Sequence, residues 1–411
     1  MHSFNNESSP TDVPWRIRTL NRVVPQGFGR FRLDSAQALE AAAQRACKTS
    51  DELSQTSRTA LVELLRSYRA SAQLHPVGEL MTAINVLMHL QTQLAVNAAH
   101  KTNTTISKRT ITAPVFITGL PRTGSTLLHN LLALDPQFRT PQSWAVNYPT
   151  PRPDSSTSQR KKIRNTQRLF GLIELLHPGF RAIHELDANL PQECLVIMAN
   201  AMRSHLFFSS TFVPDYQDWL DEQPQAISYE HHLKVLQLLQ DDTHEHPARW
   251  VLKAPSHMFS IDGLLQTYPD CRIVYTHRAP EQVVASIASL QWHLYRTFSN
   301  FTDTAELGRQ VNQRWGQAQG AFEALLHGDQ SLQNRTSIID YTRFVQDPVA
   351  TIRELYGKLG LQLADSTTQA MHAYLQTRPQ HRFGIHNYEL ADYSLTTQDI
   401  EQAFAHRSAS D

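Results

Sequence analysis

The stretch from Val115 to Leu134 constrains the fold more than any other part of the 411-residue sequence. It begins with an apolar run, passes through the loop Gly119–Gly124, and continues with leucines at helical spacing. This pattern predicts a buried strand, a tight loop and a helix. Glycines let successive N–H groups of such a loop point inward, and a helix N-terminus adds further donors and partial positive charge. The stretch therefore predicts an anion-binding loop.

The loop departs from the nucleotide-binding pattern G-x-x-x-x-G-K-[ST] at the lysine position. Ser125 stands there, Thr126 fills the last position, and the fixed cation lies inside the loop as Arg122. The sequence also offers no apolar strand that ends in an acidic residue able to hold magnesium, because the clearest later strand, 271–275, leads into Thr-His-Arg. A P-loop kinase, which needs both features, is therefore the weaker of two enzyme hypotheses.

The loop PRTGST and the following LLHNLL resemble the 5′-phosphosulfate loop of the sulfotransferases, which use 3′-phosphoadenosine 5′-phosphosulfate as donor. A second motif, RIVYTHRAPEQVVASIASL, carries Arg278 and Ser286 at the spacing with which that family holds the donor's 3′-phosphate. The chain is most similar to bacterial sulfotransferases with helical N-terminal extensions, from about Leu33 to Tyr393. The resemblance implies transfer of a sulfuryl group from this donor to a hydroxyl group, without a metal.

The resemblance also implies which residues bind the donor. The 5′-phosphosulfate is expected on Arg122, Thr123, Gly124, Ser125, Thr126 and Leu127. The 3′-phosphate is expected on Arg278 and Ser286. Near the C-terminus, Arg382 begins a basic, glycine-bearing segment, residues 382–388, that we expect to close over the adenosine 3′-phosphate.

A hydroxyl acceptor needs a base for its proton. Similar sulfotransferases commonly carry a carboxylate directly after a tryptophan, where this chain has Ala145. The pattern H-E-L-x-x-x-L-P-Q-E, from His184 to Glu193, resembles an acceptor-side motif of the bacterial family. Glu193 could instead only cap a helix, since carboxylates favour helix N-termini, and the two interpretations weigh equally. We expect His184 to be the base, oriented or assisted by Glu193.

Lys253 and His257 follow a second predicted strand in the pattern L-K-x-P-x-H, which matches the family. Strands of an open α/β sheet point their carboxyl ends at the ligand crevice. Together with Arg122, these two residues are expected to contact the sulfuryl and bridging oxygens, where cations stabilise the departing charge. His184 and Glu185 lack the H-E-x-x-H spacing and no third ligand follows, so no metal site is expected.

The acceptor is the least constrained part of the prediction. Several aromatic residues suggest an apolar or aromatic pocket for a small hydroxylated metabolite or lipid, although most could equally belong to the core. They are Trp144, Tyr148, Phe207, Phe208, Phe212, Trp292, Tyr295 and Phe298. A non-catalytic nucleotide-binding protein is the remaining hypothesis, and only Ala145 makes it credible.

The expected fold is a P-loop-like, three-layer α/β sandwich with a mostly parallel central sheet and an N-terminal helical extension. Its strands are predicted near residues 114–118, 249–253, 271–276 and 336–340. Apolar stripes at helical spacing predict three helices before the phosphate loop. The predicted organisation is a flexible arm over 1–34, a helical extension packed on the core over 35–112, and the sulfotransferase α/β domain over 113–411.

The charge is balanced, with 38 basic and 38 acidic residues, which argues against a general nucleic-acid or anionic-membrane partner. Five basic residues nevertheless fall between Arg160 and Arg168, where a solvated helix face is favoured over an anion-steering patch. No apolar run reaches the ~18 residues of a membrane helix, and the polar N-terminus lacks the features of a secretory signal. Three widely spaced cysteines indicate neither a disulfide framework nor a zinc site. A cytoplasmic protein that acts on a small molecule is expected.

Overall fold

The computed structural model describes residues 13–24, 33, 35–150, 156–176, 185–240, 248–378 and 388–405. The strands are β1 (Val115–Gly119), β2 (Phe138–Arg139), β3 (Arg249–Lys253), β4 (Arg272–His277) and β5 (Thr336–Asp340). The helices of the first half are α1 (Trp15–Asn21), α2 (Ala36–Cys47), α3 (Gln55–Ser71), α4 (Pro76–Thr102), α5 (Ser125–Leu132), α6 (Ser143–Asn147), α7 (Ser156–Leu176), α8 (Cys194–Ala199), α9 (Leu206–Ser210), α10 (Pro214–Asp221) and α11 (Ala226–Leu239). Those of the second half are α12 (Ile261–Thr267), α13 (Val284–Phe298), α14 (Thr304–Gly328), α15 (Gln330–Arg335), α16 (Tyr341–Gln346), α17 (Pro348–Lys358), α18 (Asp365–Thr377) and α19 (Thr397–Phe404).

The five strands of the described residues form one parallel sheet in the order β2-β3-β1-β4-β5. The four predicted strands are confirmed. The two-residue β2 was not predicted, because two residues are too few to show a period. All five residues of β1 are buried, as expected for a parallel strand covered on both faces. The central position of β1 puts the phosphate loop at the middle of the sheet's carboxyl edge.

Side chains of the sheet alternate between two apolar layers, which confirms the predicted three-layer sandwich. Phe116 and Leu252 belong to a core with residues of α11 to α14. Val115, Ile117 and Val251 belong to the opposite core, with residues of α5 and of α16 to α18. The alternation follows from the two-residue period of a strand. It determines which side chains lie on the same face of the sheet and can share a site.

The three helices predicted before the loop are α2, α3 and α4. Their apolar faces form a core with residues of α8 to α10. Val96 of α4 instead belongs to the core that contains Phe116 and Leu252 of the sheet. The helical extension therefore packs on helices α8 to α10, and α4 also contacts one of the cores beside the sheet. The division into arm, extension and catalytic domain stays a prediction.

Two expectations need correction. Within the predicted flexible arm, α1 is a helix whose Ile17 is fully buried against Val77 and Leu176, and this contact stabilises it. Five of the aromatic residues proposed for an acceptor pocket are core residues with at most 8% of their surface exposed. They are Phe207, Phe208, Phe212, Trp292 and Tyr295.

Candidate active site

The phosphate loop joins the carboxyl end of β1 to α5 through two glycines that no other residue can replace without strain. Gly124 has φ +80° at the N-terminus of α5, and a Cβ there would come within 3.2 Å of the Phe344 ring. Gly119 has φ +137°, and a Cβ would come within 2.2 Å of the Thr276 carbonyl oxygen. The first N–H groups of an α-helix have no partner inside the helix. The start of α5 therefore offers backbone donors at the sheet edge.

Of the three hydroxyl groups in this stretch, that of Thr123 lies inside the loop and that of Thr126 borders the cavity described below. The Thr123 hydroxyl is buried, donates to the Leu120 carbonyl oxygen at 2.7 Å and shares a 2.7 Å hydrogen bond with the Thr276 hydroxyl, so it holds the loop in place. The Thr126 hydroxyl accepts from the Lys253 ammonium group at 3.2 Å, which leaves its proton available. Ser125 is 6% exposed.

The two predicted donor motifs meet at the loop. Arg122 Nε donates to Ser286 Oγ at 3.2 Å, and Arg278 Nη1 donates to the Arg122 carbonyl oxygen at 3.2 Å. The Arg278 guanidinium lies over the Tyr341 ring, 4.1 Å from its centre, and also donates to Gln282 at 3.1 Å. These contacts hold two guanidinium groups and one hydroxyl together, which is a suitable set for a phosphate group.

Beside the loop, Lys253 forms an ion pair with Glu193. The Lys253 side chain is 3% exposed and that of Glu193 is 18% exposed. Lys253 pairs in register with Ile117, so it points to the α5 side of the sheet, where Thr126 lies. A buried ammonium group requires such partners, because desolvation without them is costly.

The ion pair with Lys253 argues against helix capping as the role of Glu193. Helix α8 begins at Cys194, and the Glu193 side chain makes no capping hydrogen bond. The capping interpretation was therefore wrong. The carboxylate lies on Lys253 because a buried ammonium group is a stronger partner than a helix N–H group.

His129 of α5 is a close neighbour that the sequence did not single out. Burial and then the charge of Lys253 lower its pKa to about 3. The ring is therefore neutral near pH 7, and its Nε2–H donates to the Val251 carbonyl oxygen at 3.1 Å. His129 ties α5 to β3 and is not a candidate base.

A cavity opens in front of the pair, with about 390 Å³ of empty space including its mouth. Thr126, Lys253 and Glu193 form one side, and Phe170 of α7 and Glu185 lie on the lining as well. The segment 185–193 is fixed to the start of α6 by backbone hydrogen bonds, among them Ser143 N–H to the Leu190 carbonyl oxygen at 3.0 Å. Residues 185–193 of the predicted acceptor-side motif thus lie next to the phosphate loop.

A second ion pair borders the cavity. The Glu185 carboxylate accepts from Arg378 at 2.7 Å, and Arg378 also donates to the Tyr374 hydroxyl at 3.1 Å. Asn130 of α5 donates to the same hydroxyl at 2.9 Å. Sequence reasoning missed this network, because Arg378 follows the pattern-free end of α18 and no motif links it to Glu185.

The structure corrects the predicted role of His257. Its ring has no exposed surface, packs edge-on against Phe116 at 5.1 Å, and shares a 2.7 Å hydrogen bond with the Tyr229 hydroxyl. Phe116 belongs to the layer opposite Lys253, so His257 faces the wrong side of the sheet for the sulfuryl group. Burial, with smaller effects of neighbouring His232 and His205, holds its pKa well below the usual range. His257 is a neutral core residue.

Two predicted residues, His184 and Arg382, lie outside the described residues, and their roles stay predictions. Among the described residues, no cluster of three or more His, Cys, Asp or Glu side chains is arranged to hold a metal ion. In the same part of the chain, no helix combines the length and apolar character needed to cross a bilayer.

The family is decided by comparison with known proteins. The model of the sulfotransferase family matches residues 114–365, which is more than half of the chain. The chain belongs to the sulfotransferase family. This membership confirms the enzyme class and sets aside both the P-loop kinase and the non-catalytic hypothesis.

Several relatives come from mycobacteria. The crystal structure of sulfotransferase STF1 from Mycobacterium tuberculosis H37Rv is 31% identical, with a TM-score of 0.79 over 92% of this chain and 100% of that one. Sulfotransferase STF9 from Mycobacterium avium shares the fold at 24% identity and a TM-score of 0.79, over 90% of this chain and 95% of that one. The omega-hydroxy-beta-dihydromenaquinone-9 sulfotransferases Stf3 of Mycobacterium bovis and M. tuberculosis are 25% identical over 300 residues, 69% of this chain and 70% of theirs.

The two carboxylates that border the cavity, Glu193 and Glu185, should contribute differently to the free energy of unfolding. We expect Glu193→Gln to lower the free energy of unfolding by about 2–4 kcal/mol, because the buried Lys253 ammonium loses its counter-charge. Glu185→Gln should cost about 1 kcal/mol or less, since Arg378 is 27% exposed and water can replace its partner. Urea unfolding measures both values.

The double variant Glu193→Gln/Lys253→Met is the control for this comparison. It should recover most of the lost stability, since replacing both members of a buried pair by uncharged groups is often nearly neutral. Equal losses for Glu193→Gln and Glu185→Gln, or no recovery in the double variant, would contradict the buried-pair interpretation.

Proposed function

We propose that this sulfotransferase uses 3′-phosphoadenosine 5′-phosphosulfate as donor and transfers its sulfuryl group to a hydroxyl group of a small lipophilic acceptor. The observation that carries the donor assignment is the meeting of Arg122, Arg278 and Ser286 at the end of β1. A donor with both a 5′-phosphosulfate and a 3′-phosphate needs two cationic sites close together, whereas a nucleoside triphosphate needs a lysine and magnesium.

Different residues would bind the two ends of the donor. The N–H groups at the start of α5, with Arg122 and the Thr126 hydroxyl, would hold the 5′-phosphosulfate. Arg278 and Ser286 would hold the 3′-phosphate, and Arg382 would close over it. When bound, the donor supplies the sulfuryl group and a phosphate leaving group. Lys253, buried beside Thr126, would stabilise the charge that develops on the bridging oxygen.

The proton of the acceptor hydroxyl is proposed to go to His184, assisted by Glu193. The support for Glu193 is its position, since its carboxylate borders the cavity, contacts Lys253 and makes no helix cap. Ala145, which occupies the place of the usual carboxylate, is buried in α6. Glu185 and Glu193 supply acidic groups to the cavity in its place.

The lining and the named activity of one relative support a lipophilic alcohol as acceptor. Phe170, Leu186 and Leu190 give the cavity apolar surface. The cations beside the cavity, Lys253 and Arg378, are each paired with a carboxylate and therefore leave little positive charge to attract a polyanionic acceptor. The Stf3 relatives are named for an omega-hydroxylated dihydromenaquinone, which is such an alcohol. A cytoplasmic location accompanies the proposal, because the three cysteines are free, as is usual in a reducing compartment.

Calorimetry with 3′-phosphoadenosine 5′-phosphate tests the donor site. Arg278→Ala should weaken this nucleotide about 10- to 100-fold and Ser286→Ala about fivefold, because each removes a hydrogen bond to a charged group. Adenosine 5′-phosphate, which lacks the 3′-phosphate, should lose little in either variant.

Arg272→Ala is the matched control, since Arg272 lies at the opposite end of the same strand, β4. Its affinity for both nucleotides should equal that of the parent protein. Equal affinity of the parent protein for 3′-phosphoadenosine 5′-phosphate and for ADP would overturn the donor assignment.

Turnover measurements test the base. His184→Ala and Glu193→Gln should each lower kcat by about 10²- to 10⁴-fold, the usual contribution of general-base catalysis, while affinity for 3′-phosphoadenosine 5′-phosphate stays intact. Glu230→Gln, on the exposed face of α11, is the carboxylate control and should keep normal kcat. Near-normal turnover by His184→Ala would rule out His184, and the same result for Glu193→Gln would rule out its assistance.

A further inference from the structure

Helix α7 has two faces of different character. Its inner face buries Thr166, Phe170 and Leu176, and Phe170 borders the acceptor cavity. Its exposed positions recur every three or four residues and therefore form one stripe along the helix. They are Arg160, Lys161, Arg164, Gln167, Arg168, Gly171, Leu172 and Leu175. The stripe is cationic in its first half and apolar at its C-terminal end.

Helix α1 extends the apolar end of this stripe. Arg16 Nη1 donates to the Leu175 carbonyl oxygen at 2.8 Å, and Ile17 packs with Leu176. Trp15 is 62% exposed beside this contact, and Leu175 is 55% exposed. Leu172 and Val23 are also exposed large apolar side chains. We call the surface formed by the stripe of α7 and the exposed residues of 15–23 the α1–α7 face.

This face carries a net positive charge, although the chain as a whole is neutral. Residues 13–24 contain three arginines and no acidic residue, and α7 contains five basic residues and one acidic residue, Glu174. The expectation that balanced charge argues against an anionic membrane is therefore misleading for this surface. A net charge of zero averages over the molecule and does not describe the local field.

We propose that the α1–α7 face docks the enzyme on an anionic lipid bilayer. Cations followed by exposed Trp and Leu side chains match phosphate head groups above acyl chains, which is the arrangement of interfacial helices. A nucleic acid would leave the leucines and Trp15 exposed. A second copy packed through the same face would bring two basic surfaces together, and like charges repel.

Docking has a consequence for the acceptor that rests on the proposed function. The inner side of the docked helix carries Phe170, which borders the cavity. A lipophilic alcohol could then pass from the bilayer to the cavity along α7 without crossing open water. Vesicle binding itself does not depend on the acceptor, so the two proposals can fail separately.

Co-sedimentation of the full chain with vesicles, without donor or acceptor, is the test. Binding should be at least tenfold stronger on vesicles of phosphatidylglycerol and phosphatidylcholine than on pure phosphatidylcholine, and it should weaken with salt. Each basic residue near an anionic surface strengthens binding about fivefold. The variant Arg160→Glu/Lys161→Glu/Arg164→Glu/Arg168→Glu should therefore lose binding. Leu172→Gln/Leu175→Gln should weaken it about tenfold or more.

The control variant reverses the charge of four exposed basic residues elsewhere: Arg45→Glu/Lys108→Glu/Arg353→Glu/Lys358→Glu. It should bind as the parent chain does, and all variants should keep their affinity for 3′-phosphoadenosine 5′-phosphate. Brominated acyl chains should quench Trp fluorescence in the parent chain and not in Trp15→Phe. No preference for anionic vesicles, an equal loss in the control variant, or a dimer that Leu172→Gln/Leu175→Gln dissociates would overturn the proposal.

Discussion

The buried ammonium group of Lys253 connects three parts of the site. It lies at the end of β3, hydrogen-bonds Thr126 at the start of α5, and pairs with Glu193 before α8. Because a cation that is 3% exposed cannot rely on water, the loss of one of its partners lowers the stability of the fold. The same requirement positions the donor loop against the acceptor-side segment. The residues proposed to act in catalysis therefore also contribute to the stability of the fold.

The half of the site that is proposed to bind the donor is built mainly by the backbone. Gly119 brings β1 so close to Thr276 that no side chain fits between them, and this approach aligns the phosphate loop with the end of β4. Arg278 follows β4 and reaches back to the loop through the Arg122 carbonyl oxygen. The tight strand pairing thus explains why two motifs far apart in sequence form one anion site.

Features that depend on local pattern could be predicted from the sequence. The strands, the phosphate loop and the three N-terminal helices each have a period or a glycine spacing that local physics enforces. The Glu193–Lys253 pair and the Glu185–Arg378 pair could not be predicted, because each joins segments that only the fold brings together. The error about His257 has a different cause. The pattern L-K-x-P-x-H, in which Lys253 and His257 are only four residues apart, suggested one site. The turn after β3 instead places the two side chains in opposite layers.

The most direct test of this account is transfer of labelled sulfuryl from 3′-phosphoadenosine 5′-phosphosulfate to hydroxylated lipids in the presence of EDTA. The account predicts a labelled sulfate ester of a long-chain or isoprenoid alcohol, and none with ATP as donor. Sulfation of polyanionic glycans in preference to such alcohols would contradict the proposed acceptor class. Donor binding without transfer to any hydroxyl compound would contradict the proposed chemistry of the Glu193–Lys253 site.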